Sequence, residues 1–178
     1  MDHNYFIRLE QSIKEMKNAL LENAELRKLL YYSSEDIKSS ISQLKDVTIA
    51  AVEDNIMLTL VTRVDTTPPF NKRNYITITC SNGQIGDNNN AYAIKVIVMS
   101  EKKDWIINKT EIRPLRMMQI VSDCLDSKQF VCSGELLFER FSDLITNDDV
   151  TGYAMFFSLA DGTGDKNAQH IGSNIINK

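Results

Sequence analysis

The groups in this 178-residue chain that could bind a metal, move a proton or attack a substrate are few and scattered. The two histidines, His3 and His170, stand near opposite termini, and neither has a plausible partner beside it in the sequence. Acid–base or metal chemistry needs several groups converging on a rigid frame, and neither histidine is placed for that. The three cysteines, Cys80, Cys124 and Cys132, are odd in number and lack CxxC spacing. They suit a reducing cytoplasm and read as small buried hydrophobes, not as a disulfide framework or a zinc site. The run Asp161-Gly-Thr-Gly-Asp165 has the opening flavour of a calcium loop but not the further oxygen ligands and closing Glu, so it reads as a solvated turn. Neither GxxxxGK[ST] nor a GxGxxG after a strand occurs, so no nucleotide cradle is indicated. No catalytic, cofactor-binding or metal-binding residue is assigned, and the chain is expected not to be an enzyme.

Bulk properties agree with a structural role. The length fits one domain with a real core, and 43% apolar and 25% charged residues are ordinary for a globular chain. The net charge of −4 and the absence of a Lys/Arg run leave no global footprint of a nucleic-acid binder. The first residues, MDHNYFIRLE, carry charge where a signal peptide needs an apolar run, and no stretch approaches ~20 apolar residues. A soluble, unsecreted protein without membrane partners is expected.

The elements that would position any functional residue centre on residues 91–125. Residues 91–99 are nearly all apolar, as in a central strand covered on both sides. Glu101-Lys-Lys-Asp104 makes a turn, Trp105-Ile106-Ile107 returns as a strand, and Arg113-Pro114 opens a helix with proline where its missing N–H costs nothing. Leu115, Met118, Val121 and Leu125 share one face of that helix, flanked by Met117 and Ile120. Upstream, Phe6, Leu9, Ile13, Met16 and Leu20 form one apolar stripe on a helix over about residues 5–21, with Glu10 and Lys14 as an i,i+4 pair. Asn23 caps a second helix over 24–30, and Ser34 is the cap of a third carrying Ile37, Ile41 and Leu44. Residues 56–64 and 75–80 read as strands, the second with one core face and one polar face. Residues 130–141 and 152–159 read as a final antiparallel pair joined by a turn near 146–149.

The predicted fold is α+β: a single domain over 1–160, comprising a helical segment over 1–45 and a sheet with one central helix over 55–160. The sheet is mixed, mostly antiparallel and four- to six-stranded. Residues 161–178 form a polar C-terminal arm. Contacts with another subunit or protein are assigned to the Pro-Pro loop (Pro68, Pro69, Phe70), to the polar hairpin loop (Gln84, Asp87, Asn89), and to Trp105 and Arg113. Trp105 reads either as a partner anchor or as a core residue covering the sheet edge. Arg113 reads either as meeting a carboxylate across a subunit boundary or as solvated or locally paired.

The order of these elements resembles a known group. It runs from an N-terminal helix through a strand and Pro-Pro loop (61–70) to Tyr75-Ile-Thr-Ile78 and a polar hairpin. Ala93-Ile-Lys-Val-Ile-Val98, Trp105-Ile, Arg113-Pro-Leu-Arg-Met117 and a closing Gly152-Tyr-Ala-Met-Phe-Phe157 follow. The whole is similar to the tail terminator, or tail completion, proteins of long-tailed bacteriophages and the wider head–tail joining group. The run NAELRKLLYY over 23–32 likewise resembles the opening of phage neck and tail-completion proteins. The resemblance implies a virion protein, made in the host cytoplasm, that forms a homo-oligomeric ring, typically sixfold, on the last ring of the tail tube. It would contact the tail tube protein and the head connector or neck protein, with DNA passing through its lumen without sequence-specific binding. The acidic balance fits a channel to which phosphates do not stick. The alternatives are a head-side neck stopper or adaptor, and a non-viral adaptor that binds through the Phe6–Leu20 stripe.

Overall fold

Asn23 separates the first two helices by chemistry that the sequence displays. Its Oδ1 accepts the Leu26 N–H at 2.9 Å, which ends α1 (Tyr5–Glu22) and starts α2 (Ala24–Tyr31) in a new direction. Ile13, Met16 and Leu20 of α1 are buried inside the subunit, and Lys14 donates to Glu10 at 2.6 Å. The computed structural model describes residues 5–37, 40–59, 73–82, 92–130, 134–145 and 149–161; the side chains of Phe6 and Leu9 are outside that description.

The expected third helix is replaced by a turn at 34–36 and one 3-10 turn, Ile41–Gln43. Local side chains take the backbone donors that a helix would use. Asp36 Oδ2 accepts the Ser33 N–H at 3.0 Å, and Ser40 Oγ accepts the Ser42 N–H at 3.3 Å. Ile37 and Ile41 are nevertheless buried, so their apolar spacing serves a core without a helix. A short helix that the sequence reading did not anticipate, α3 (Ile49–Val52), precedes the sheet.

The strands are β1 (Ile56–Thr59), β2 (Asn74–Asn82), β3 (Tyr92–Glu101), β4 (Ile106–Ile107), β5 (Glu111–Ile112), β6 (Lys128–Phe130), β7 (Gly134–Ile145) and β8 (Val150–Asp161). Six of them form one sheet in the order β1-β2-β3-β8-β7-β6, in which only β1 and β2 are parallel. The fold is α+β with a mixed, mostly antiparallel sheet, as expected. The strand after the charged turn is a correction, because β4 does not pair with β3. It joins β5 in a separate two-stranded ribbon across the turn Ile107–Thr110, whose Asn108 and Lys109 both have positive φ. The place beside β3 is taken by β8, the last strand among the described residues.

Both sheet faces carry buried residues. On one, Ile76, Ile78, Ile94, Val96, Val98, Met155 and Phe157 join the core made by α1, α2 and α4 (Arg113–Leu125). On the other, Tyr75, Ile97, Met99, Val150 and Ala154 form a second, smaller cluster. The face of β2 read as polar is thus mostly buried, and Thr79 is only 2% exposed. On helix α4, Met118, Val121 and Leu125 of the expected face are buried, as are the flanking Met117 and Ile120; Leu115 is the exception and is exposed.

Candidate assembly surface

Two sequence-assigned contact residues, Trp105 and Arg113, fall among the described residues, and they have different fates. Arg113 is fully buried at the start of α4. Its Nε donates to Asp104 O at 2.8 Å, and its Nη1 donates to Leu29 O at 2.5 Å and Tyr32 O at 2.7 Å. Those last two carbonyls stand at the end of α2, where a helix leaves acceptors unpaired and its dipole favours a cation. Asp104, also buried, accepts the Ser34 N–H at 2.8 Å, so α2, the 102–104 turn and α4 are fastened at one point. Burial pushes the Arg113 pKa down to about 10, opposed by the nearby Asp104 and Asp36 carboxylates. The side chain is therefore a buried tie within the subunit and not a surface group facing a partner's carboxylate.

Trp105 is half-buried. Its indole N–H donates to Ser100 O at 3.2 Å, and its ring stacks on Tyr153 with centroids 6.2 Å apart. Tyr153 in turn meets Phe141 edge-on at 6.1 Å, and Phe141 is 56% exposed. The row Trp105–Tyr153–Phe141 thus runs from the β3 turn, across β8, to the surface of β7. Phe138, packed edge-on against Phe157 at 5.5 Å and 36% exposed, adds to the exposed apolar area on that face, whereas Leu137, opposite Ser158, points to the other face. A single exposed apolar residue needs no explanation, whereas a larger apolar patch beside a strand edge is the kind of surface that partners use.

That edge is open. Strand β6 pairs only with Gly134, Glu135 and Leu136 of β7. Phe138 N–H is taken by Asp126 Oδ1 at 2.8 Å, and among the described residues nothing pairs with the outer side of β7 beyond it. A bulge between Phe138 and Arg140 shifts the register, which keeps Phe141 on the same face as Phe138. On the opposite face, Arg140 and Lys95 lie over the Phe156 ring at 4.4 and 5.7 Å from its centroid.

The remaining assigned contacts, Pro68, Pro69, Phe70, Gln84, Asp87 and Asn89, lie outside the described residues, as do His3, His170 and the arm beyond Asp161. Among the described residues no group of three or more His, Cys, Asp or Glu side chains is arranged to hold a metal ion, and no helix is long and apolar enough to cross a membrane. A shallow open cleft of about 280 Å³ lies between Tyr31, Asp36, Asn55 and Arg73. Phe138 and Phe141 were not singled out from the sequence; the signal that could have found them is that two charged residues, Glu139 and Arg140, stand between them in the strand.

A family model named YomW matches residues 23–159, which takes in the caps, the sheet and the whole of β7. The chain belongs to the YomW family. That family is phage-derived, of the SPbeta prophage type, and the chain is accordingly a phage-related protein. No curated protein matches it. The YomW match begins at Asn23, the residue that caps α2, and ends within β8, so it covers every residue of the aromatic row and of the Arg113 tie.

Proposed function

We propose that this YomW-family chain is a virion structural protein that caps the tail tube and joins tail to head, assembling as a ring, sixfold in the simplest case, around the DNA channel. The observation that carries the proposal is a phage-related α+β subunit whose sheet ends, among the described residues, in an open, aromatic-flanked strand edge. Ring building by a single subunit type uses heterologous contacts, in which one surface of a copy meets a different surface of the next. Pro68, Pro69, Phe70, Gln84, Asp87 and Asn89 remain proposed subunit or partner contacts.

Negative-stain electron microscopy of the purified chain, with light scattering for mass, tests ring formation. Disrupting the gene in its phage tests the assignment: filled heads and unjoined tails of irregular length are expected. Unjoined tails of normal length would favour the head-side neck adaptor, and normal joined virions would refute both.

A further inference from the structure

We propose that neighbouring copies of this chain join by continuing the sheet, the outer edge of β7 beyond its bulge receiving β1 of the next copy in antiparallel pairing. The inference deepens the ring reading and rests on it for closure of the assembly. From Glu139 to Ile145 the outer side of β7 has no strand beside it among the described residues, and such an edge is a ready template for pairing. The occupant is indicated by the other end of the same sheet. Strand β1 is the opposite terminal strand, pairs only with β2 among the described residues, and carries Leu58 at 39% exposure.

Two independent features of the topology match. The first is the face. Leu58 stands opposite Ile78, and Phe141 and Phe138 stand opposite Met155 and Phe157, all on the face that the helices cover. A sheet continued across a boundary keeps its faces, so Leu58 of one copy meets the phenylalanines of its neighbour. The second is direction. From β1 to β7 the sheet has one parallel and three antiparallel steps, so β7 runs opposite to β1. Continuation therefore creates an antiparallel joint, like most joints within the subunit. The charged Glu139, Arg140 and Asp143 along the same edge disfavour indiscriminate pairing. A two-fold β7-to-β7 contact would leave β1 and Leu58 unused.

The test uses the full chain with its cysteines changed to serine. One variant carries Ser142→Cys in β7 and another Met57→Cys in β1, and each is treated with a short bifunctional maleimide alone and mixed with the other. Cross-linked dimer is expected only in the mixture, and Phe141→Lys and Leu58→Lys should each shift the assembled species to monomer mass with unchanged circular dichroism. Cross-linking of Ser142→Cys alone, a wild type that is monomeric and uncross-linked at its highest soluble concentration, or assembly unaffected by both lysines would overturn the proposal. Rings that persist in both lysine variants would sink the β7–β1 joint and leave the ring reading standing. Mixed cross-links in open oligomers without closed rings would do the reverse.

Discussion

Replacing Arg113 by methionine removes the tie between α2, the 102–104 turn and α4 while keeping a side chain of similar reach. Three charge-assisted hydrogen bonds are lost, to Asp104 O, Leu29 O and Tyr32 O. At about 1.5–3 kcal/mol each they sum to roughly 5–9 kcal/mol. Against this stands the cost of the buried cation. Burial lowers its pKa from the usual arginine range to about 10, which corresponds to roughly 3 kcal/mol. The sign follows from proton binding. A base with a depressed folded pKa binds its proton less tightly when folded, so this cost is present at neutral pH and is relieved only as pH rises past about 10. Methionine escapes that cost, and the net expected loss is roughly 2–6 kcal/mol, a large share of a typical stability of about 5–15 kcal/mol. Arg113→Lys should lose about 2 kcal/mol, because an ammonium cannot reproduce the planar fork that reaches three carbonyls. Urea melts followed by circular dichroism at neutral pH give both values, and hydrogen exchange should show the amides of residues 24–36 opening first. Wild-type stability in Arg113→Met, or in Arg113→Lys, would refute the argument that these bonds hold the helical layer to the sheet.

Other perturbations address separate links. An added Cβ at Gly152 would sit 1.8 Å from Val98 O, so Gly152→Ala must force β8 away from β3; a loss of more than about 2 kcal/mol is expected, and a melt unchanged from wild type would contradict the close approach. Lys109 holds a φ of 65° in the β4–β5 turn, and Lys109→Gly should raise stability by about 1 kcal/mol in the same melts. Burial raises the Tyr75 phenol pKa above 10.0, so its contribution is intact below that value and is lost as pH rises through the folded pKa. Stability above pH 10 should therefore fall more steeply in wild type than in Tyr75→Phe, and superimposable pH profiles would count against that burial.

What could be read from the sequence was what neighbours along the chain decide. The Asn23 cap, the apolar run of β3 and the proline at the start of α4 all follow from local chemistry, and each stands where expected. The same locality misled where serines follow α2. Their apolar spacing is helical, but Ser33, Asp36 and Ser40 hydrogen-bond nearby backbone in turns instead. Distant partners were not legible at all. Arg113 finds its acceptors 84 and 81 residues away, and β8 enters the sheet between β3 and β7 although it is the last strand among the described residues.

The exposed aromatic surface escaped for a more specific reason. Strict alternation puts Phe138 and Phe141 on opposite faces, so a period-two reading divides them and sees no patch. The bulge at Phe138/Arg140 adds one residue and brings both rings to the helix-covered face. It also falls next to the point where β6 stops covering β7, so one irregularity both gathers the aromatics and opens the free edge beside them. A bulge that served only to blunt an edge would not need to collect exposed phenylalanines there. Their coincidence with an edge that no described strand covers is the reason this end of the sheet, more than the buried Arg113 or the half-buried Trp105, is the place where a second chain would attach.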